Sequence, residues 1–216
     1  MKKEEIVQQL LEEKLISIVR LKNGQYTSKV IDALVQGGIK VLEITSNTPG
    51  FEMEIADARK KYPNILIGAG TITNTELALK AIKAGAQFLI TPNTNKEVTD
   101  KAIKANIPVA MGAFTPTEIA NAVVYGADII KLFPSGQLGI SYFKSLKGPF
   151  SETKFFAVGG IGMDNLEEWF KAGIDGVGIA STLVKKETSK QEDLGEIVSK
   201  AQQFVAFTKK YGRITD

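Results

Sequence analysis

The sequence predicts an α/β protein: one (β/α)8 barrel spanning residues 1–216 as a single domain, with a helix before the first strand. Short apolar runs rich in Ile and Val alternate eight times with amphipathic stretches. Successive runs begin roughly 20 to 27 residues apart, which suits a strand, a crossover helix and two short loops. Because the runs are apolar throughout, they predict a parallel sheet covered by helices. Eight units without a composition break favour a closed barrel, and an open doubly wound sheet is the alternative.

The apolar runs give the strands in order. They are Leu15–Arg20, Lys40–Ile44, Ile65–Ala69, Phe88–Thr91, Pro108–Met111, Asp128–Leu132, Lys154–Val158 and Gly176–Ile179. Between them, apolar residues recur every three to four positions, as in Glu76–Ala84 and Glu118–Val124, which predicts helices.

Helix boundaries have their own signals. A first helix is expected at about 3–14 and a long final helix at 191–210. Thr115–Glu118 combines a cap residue, a first-turn proline and an acid at the positive end of the helix dipole. Glycines suited to the left-handed C-cap conformation follow several helices, namely Gly37, Gly38, Gly85, Gly126 and Gly173.

Two residue types are missing from the composition. The 216 residues include no Cys and no His, which excludes Ser-His-Asp triads, Cys-His dyads, haem ligation by His, zinc sites of the usual kind and disulfides. A covalent mechanism would most naturally use a lysine amine, and a metal site would need oxygen ligands alone. The net charge is only +3, with the basic residues scattered among acids, which argues against nucleic acid as a partner. No apolar run is long enough for a membrane span or a signal peptide, so we expect a cytoplasmic protein.

Polar side chains mark the carboxyl ends of the predicted strands, where a (β/α)8 barrel builds its chemistry. They are Arg20, Glu43, Thr45, Thr71, Thr91, Lys131 and Ser181, together with the Gly159 and Gly160 pair. Lys131 ends a buried strand, where burial and a cationic neighbour such as Arg20 would lower its pKa and free the amine to form a Schiff base with a ketone. The alternative is a structural lysine that extends to a surface carboxylate.

Glu43 lies in a second buried strand, with Thr45 on the same face. A partly buried carboxyl with a raised pKa is the available proton shuttle for imine chemistry in a chain without His. The alternative is a carboxylate that only pairs with Lys131 or Arg20 and holds the barrel together.

Two glycine-rich segments suggest anion sites. The segment 68–71 offers backbone N–H groups and a hydroxyl for a carboxylate or carbonyl oxygen, although a tight turn explains its glycines equally well. Gly159 and Gly160 after strand seven, combined with 178–181 after strand eight, predict a phosphate site, since the corresponding loops of such barrels frequently bind phosphate.

Seven short blocks carry a resemblance to a known family. They are V-L-E-I-T at 41–45, G-A-G-T-I at 68–72, T-P-N at 91–93, G-A-F-T-P-T-E at 112–118, K-L-F-P at 131–134, G-G-I at 159–161 and G-I-A-S at 178–181. In this order, and over nearly the whole chain, they resemble the class I aldolases that cleave 2-keto-3-deoxy-6-phosphogluconate (KDPG) or 4-hydroxy-2-oxoglutarate.

The resemblance implies a role for each matching residue. Lys131 would form the Schiff base and Glu43 would be the general acid and base. Thr71, with the amides of Gly70 and Thr71, would bind the pyruvate carboxylate. Phe133 and Pro92 would form the walls of the pocket, and Arg20 would face the same cleft. The phosphate would be bound by Gly159, Gly160, Ala180 and Ser181. A homotrimer that needs neither metal nor cofactor is also implied, with a phosphorylated keto sugar acid and pyruvate as its ligands.

Two positions depart from many KDPG aldolases, which have Arg and Thr where this chain has Asn47 and Val158. Loss of the threonine hydroxyl removes a possible contact near C4 of the substrate, although water could replace it. Asn47, Asn93 and the segment 156–160 are more similar to the branch that acts on the 6-phosphogalactonate epimer. The substrate expected is therefore either epimer, with 4-hydroxy-2-oxoglutarate as a further possibility.

Two other functions remain open from the residues alone. A phosphate-binding barrel isomerase or epimerase would share the glycine loops without using Lys131 as a nucleophile. An inactive barrel retained as an oligomeric scaffold would require neither Lys131 nor Glu43.

Overall fold

Eight parallel strands close into a barrel in sequence order, with the eighth strand paired to the first. The structure is a computed structural model and describes residues 1–188 and 192–212. The strands are β1 (Leu15–Val19), β2 (Val41–Thr45), β3 (Leu66–Gly70), β4 (Leu89–Ile90), β5 (Val109–Ala113), β6 (Ile129–Leu132), β7 (Phe155–Val158) and β8 (Gly176–Ile179). The predicted (β/α)8 barrel is confirmed, and the open sheet is excluded because β1 and β8 pair in register from Leu15 with Val177 to Ser17 with Ile179.

Helices alternate with the strands, as the sequence predicts. They are α1 (Lys3–Glu13), α2 (Thr27–Gln36), α3 (Phe51–Lys61), α4 (Thr75–Lys83), α5 (Lys96–Lys104), α6 (Pro116–Val124), α7 (Ser135–Lys147), α8 (Leu166–Lys171) and α9 (Glu192–Gly212), with a short 3-10 helix at Gly24–Tyr26. The predicted α9 begins at position 191, which lies outside the described residues. Among residues 1–188 and 192–212, no helix combines the length and apolar composition needed to cross a bilayer.

The predicted helix caps are confirmed at both kinds of terminus. Thr115 and Glu118 form a reciprocal capping box at the start of α6, with Pro116 in the first turn. The glycines that follow α2, α4, α6 and α8 have positive φ angles, at Gly38, Gly85, Gly126 and Gly173. The prediction is wrong for Gly37, which has a φ of −73° and continues the right-handed conformation of α2, so that Gly38 alone makes the left-handed turn.

The fourth strand is shorter than predicted. Its predicted last residue, Thr91, uses its hydroxyl to accept the Gly112 N–H at 3.0 Å and to donate to the Asn93 carbonyl at 2.7 Å. A side chain therefore takes the place of a backbone carbonyl at this point, and the regular ladder ends at Ile90.

The interior of the barrel is apolar at its N-terminal end and is closed there by α1. Ile6 and Leu10 of α1 pack against inward-facing side chains of the strands: Ile16, Val41, Leu66, Phe88, Ile129 and Phe156. A salt bridge of 2.8 Å between Lys3 and Asp128 links the start of α1 to the start of β6. With α1 packed over this end, the cavity in the barrel lies at the carboxyl ends of its strands.

Candidate active site

Lys131 projects into the barrel interior from β6 and is only 3% exposed. Its Nζ lies 4.9 Å from the centre of the Phe133 ring, within the range of a cation–π contact. Burial lowers the pKa of Lys131 because it disfavours the charged ammonium; the Glu43 carboxylate opposes that shift, and the Arg20 guanidinium adds to it. The site thus increases the fraction of Lys131 present as free amine.

Glu43 projects inward from β2 and is 1% exposed. Its carboxyl group occupies the space where a side chain on Gly70 would begin, so glycine on the neighbouring strand makes room for the acid. Burial raises the pKa of Glu43, against the opposing effects of the nearby Lys131 and Arg20 charges.

The two groups interact without forming an ion pair. Glu43 Oε1 has no hydrogen-bond partner. Within the described chain, no Lys or Arg nitrogen lies within 4.0 Å of the Glu43 carboxylate. The geometry therefore does not match a carboxylate held in a structural salt bridge. It places a buried acid with unused hydrogen-bonding capacity close to a buried amine.

Arg20 connects the end of β1 to the turn after β3. Its Nη2 donates to Thr71 Oγ1 at 3.1 Å, while its buried Nε has no hydrogen-bond partner. Thr71 has a φ of 58°, in the left-handed region that costs a non-glycine residue about 1–3 kcal/mol. Ser46 Oγ donates to the Thr71 carbonyl at 2.7 Å and helps to hold this conformation.

A cavity of about 200 Å³ opens beside these groups at the carboxyl ends of the strands. Eight predicted site residues line it: Arg20, Lys131, Phe133, Val158, Gly159, Gly160, Ala180 and Ser181. Glu43 lies next to it, and Thr71 is joined to it through the Arg20 hydrogen bond.

The glycine pair after β7 adopts a conformation that favours glycine. Gly159 and Gly160 have φ angles of 88° and 76°. The Gly159 carbonyl accepts the Gly136 N–H at 2.7 Å, and a Cβ on Gly159 would lie 3.1 Å from the Phe133 ring. This turn therefore packs tightly on the segment that follows Lys131.

A helical turn follows β8 on the other side of the cavity. The N–H groups of Leu183 and Val184 both donate to the Ala180 carbonyl, and Thr182 Oγ1 donates to the Ile161 carbonyl at 3.0 Å. Ser181 in this turn lines the same cavity as the Gly159 and Gly160 pair, so residues of two loops border one space.

Besides Glu43 and Thr71, the cavity lining leaves out six residues that were singled out in the sequence: Thr45, Asn47, Gly70, Thr91, Pro92 and Asn93. Thr45 donates to the Val19 carbonyl, and the Thr91 hydroxyl is engaged by Gly112 and Asn93. Asn47 is exposed in the loop after β2. The backbone of Pro92 packs against Gly112 of β5.

Four residues that line the cavity were missed by reasoning from the sequence: Ile18, Thr182, Val184 and Lys186. Ile18 shares the inward face of β1 with Arg20, so the two-residue period of a strand could have identified it. The other three follow β8 in a turn whose path no sequence pattern defines. Within residues 1–188 and 192–212, no three acidic side chains cluster in a way that would hold a metal ion.

Comparisons with known proteins agree with this geometry. A family model described as KDPG and KHG aldolase matches residues 6–200. The 2-dehydro-3-deoxy-6-phosphogalactonate aldolase of Escherichia coli is 34% identical over 199 residues, covering 91% of this chain and 94% of the relative.

Two solved structures extend the comparison. One described as native KDPGal is 32% identical with a TM-score of 0.85, covering 93% of this chain and 96% of the other. The KDPG aldolase of Legionella pneumophila, with pyruvate captured as a covalent carbinolamine, is 28% identical with a TM-score of 0.83, covering 92% and 97%.

Proposed function

Since the chain belongs to the KDPG and KHG aldolase family, we propose that it is a class I aldolase, a lyase that works through a Schiff base on Lys131. The substrate is 2-keto-3-deoxy-6-phosphogluconate or its 6-phosphogalactonate epimer, and the products are pyruvate and glyceraldehyde 3-phosphate. One observation carries the proposal: burial lowers the pKa of Lys131 and raises that of Glu43, two groups that interact without forming an ion pair. Burial thus increases both the free-amine fraction of Lys131 and the protonated fraction of Glu43.

Each step has a group in the site to perform it. The Lys131 amine attacks the C2 ketone, and the resulting hydroxyl leaves as water with a proton from Glu43. The protonated imine then accepts the electrons of the C3–C4 bond while Glu43 removes the C4 hydroxyl proton, which releases glyceraldehyde 3-phosphate. Protonation of the enamine at C3 and hydrolysis of the imine release pyruvate and restore the amine.

The two anionic ends of the substrate fit two parts of the site. At one end, Arg20, Thr71 and the amides of Gly70 and Thr71 bind the pyruvate carboxylate, with Phe133 as a wall of the cavity; Pro92 lies outside the lining. At the other, the phosphate is bound by the two loops that border one space: Gly159, Gly160, Ala180 and Ser181. Support comes from the Arg20 to Thr71 hydrogen bond and from the glycine pair, which lines the cavity without side chains that would cover its backbone.

The direct test is coupled detection of pyruvate with both epimers supplied separately, with and without EDTA. We expect pyruvate from at least one epimer and no effect of the chelator. Borohydride reduction in the presence of pyruvate should attach a stable adduct to Lys131, located by peptide mass spectrometry. Lys131→Arg should abolish both turnover and the adduct. Turnover by the Lys131→Arg protein would overturn the Schiff-base mechanism.

The choice of epimer is proposed from two side chains and one relative. Val158 presents an apolar surface to the cavity, and the 34% identical relative is named for the phosphogalactonate substrate. We propose a preference for that epimer, with the exposed Asn47 acting at the outer rim and 4-hydroxy-2-oxoglutarate as a weaker substrate. The ratio of kcat/KM values for the three compounds measures it, and a higher value for the gluconate epimer would contradict it.

We propose that residues 1–216 act as one domain in a cytoplasmic homotrimer without a cofactor. Exposed apolar side chains, including Phe114, Val123 and Val124, provide surface that subunit contacts would cover. The test is the mass in solution by light scattering, where three times 23.4 kDa is expected.

A further inference from the structure

The charge around the cavity is one-sided. Three cationic side chains line it, Arg20, Lys131 and Lys186, and none of the lining residues is Asp or Glu. Two carboxyl groups lie near these cations: Glu43, which is buried beside Lys131, and Glu187, which follows Lys186 in the chain and is paired with Lys22. A cavity with this lining favours a ligand with more than one negative charge.

Two of the three cations are committed to the inner part of the site. Lys131 is the amine beside Glu43, and Arg20 donates to Thr71. Lys186 is different, because it is exposed on the segment that follows the turn after β8. It therefore belongs to the same segment after β8 as Ser181, whereas the Lys131 amine projects from β6.

The backbone fixes where Lys186 stands. The Lys22 N–H donates to the Lys186 carbonyl at 3.0 Å, which ties the segment after β8 to the loop after β1. The adjacent acid, Glu187, is engaged by the Lys22 ammonium at 2.9 Å. In the part of the chain that the structure describes, Lys186 has no ion-pair partner, so its ammonium is available to a ligand.

We propose that Lys186 is a specificity-determining residue that binds the phosphate group of the substrate and selects phosphorylated over unphosphorylated sugar acids. The inference rests on the proposed function and deepens it, by adding one side-chain charge to a phosphate site otherwise built from backbone amides and a hydroxyl. A long lysine on an exposed segment suits this role, because it can follow the phosphate as the substrate enters and the aldehyde product leaves.

The kinetic test compares Lys186→Met with the wild type on a 2-keto-3-deoxy-6-phospho sugar acid and on the same acid without phosphate. We expect kcat/KM for the phosphorylated substrate to fall about tenfold more than for the unphosphorylated one, through KM, since tenfold corresponds to about 1.4 kcal/mol. Lys186→Arg should restore most of the difference. The matched control is Lys185→Met, an exposed neighbour outside the cavity lining, which should behave as the wild type.

A binding measurement keeps this test independent of catalysis. The dissociation constant of glycerol 3-phosphate, measured by calorimetry, should rise about tenfold in Lys186→Met and become less sensitive to sodium chloride. Equal values for Lys186→Met and wild type, or an equal loss in Lys185→Met, would overturn the role of Lys186 while leaving the aldolase intact. A wild type that releases no pyruvate would instead reject the proposed function, and glycerol 3-phosphate binding would still decide the role of Lys186.

Discussion

Lys131 and Glu43 are buried at a cost to folding that the proposed mechanism explains. Taking a charged group out of water disfavours the charged form, and burial is the largest influence on the pKa of each residue. A core selected only for stability would replace both with apolar side chains. The protein keeps both groups buried side by side, and it is less stable as a result. This loss of stability is the cost of placing the two groups of the proposed mechanism in the site.

This cost has a pH dependence that can be measured on Lys131→Met. Burial lowers the pKa of Lys131. At pH values between this lowered pKa and the ordinary lysine pKa of 10.5, the Lys131 side chain therefore binds fewer protons in the folded protein than in the unfolded chain. The contribution of Lys131 to the free energy of unfolding therefore rises with pH across that window. Lys131→Met removes it, so we expect the variant to be more stable than the wild type by a margin that is larger at pH 7 than at pH 10.

Urea unfolding at the two pH values measures that margin. The control is Lys144→Met, an exposed lysine on α7, for which we expect little change at either pH. A margin for Lys131→Met that grows as the pH rises would contradict the assignment of Lys131 as a buried amine with a lowered pKa.

Gly70 gives a second prediction at the residue scale. A Cβ at this position would overlap the Glu43 carboxyl group, so Gly70→Ala must displace the acid from its place beside Lys131. We expect a loss of about 1–3 kcal/mol of stability from overpacking, and a fall in kcat of about a hundredfold, the range of general acid–base catalysis. Gly195→Ala in α9, with no atom within 4 Å of its added Cβ, should leave activity unchanged. Unaltered kcat in Gly70→Ala would show that Glu43 does not act from this position.

The sequence predicts the inner part of the site better than its rim. Lys131, Glu43 and Arg20 lie on strands, where the two-residue period and the apolar flanks indicate which side chains face the interior. Thr45 and Thr91 share that position at strand ends, yet their hydroxyls satisfy nearby backbone groups. Residue type and period do not reveal which partner a hydroxyl selects. Lys186 lies in a loop, whose path depends on contacts with the loop after β1.

At the scale of elements, helix α6 has the strongest local signal in the sequence. Glu118 Oε2 accepts the Thr115 N–H at 2.7 Å and the Phe114 N–H at 2.9 Å, and the Thr115 hydroxyl accepts the Glu118 N–H at 3.3 Å. These contacts satisfy N–H groups that a helix start leaves without partners. Burial is the largest single influence on the pKa of Glu118 and raises it, but the backbone hydrogen bonds from Thr115 and Phe114 and the Thr115 side-chain hydrogen bond together hold that pKa below its usual value.

Thr115→Ala should therefore destabilise the protein by about 1 kcal/mol, the usual cost of losing an N-cap side chain. Because α6 starts outside the cavity, kcat/KM should stay within twofold of the wild type. Thermal unfolding and a pyruvate assay measure the two effects. Thr117→Ala, two residues further along the same helix, is the matched control and should unfold like the wild type. Equal unfolding temperatures for the two variants would contradict a capping role for Thr115.

Element boundaries were predicted to within about one to two residues wherever a local rule applies. A glycine after a helix is one such rule, and it holds at α2, α4, α6 and α8. An apolar run between turns is another, and it locates the strands. The strand β4 shows the limit, because its length depends on a hydroxyl of Thr91 that bonds across to Gly112 of β5. A pairing between two strands that are distant in sequence leaves no signal in either segment alone.

At the scale of the whole molecule, the barrel separates stability from chemistry. Its N-terminal end is packed with apolar side chains and sealed by α1, whereas its other end carries the buried polar groups and the cavity. A change at the sealed end should therefore alter folding without altering the reaction.

Leu10→Ala tests this separation. Leu10 is 2% exposed and packs from α1 onto the side chains at the closed end of the barrel. Its truncation should cost about 2–5 kcal/mol of unfolding free energy, because it leaves a cavity that the barrel cannot collapse to fill. Since the Lys131 and Glu43 pair lies at the opposite end, kcat per folded molecule should remain that of the wild type below the unfolding transition.

Leu79→Ala, which removes the same atoms from a leucine that is 52% exposed, is the control and should cost far less stability. Denaturant unfolding combined with active-site titration by borohydride and pyruvate separates the two quantities. A Leu10→Ala protein whose folded fraction has lost activity would show that the closed end of the barrel also positions the reactive groups.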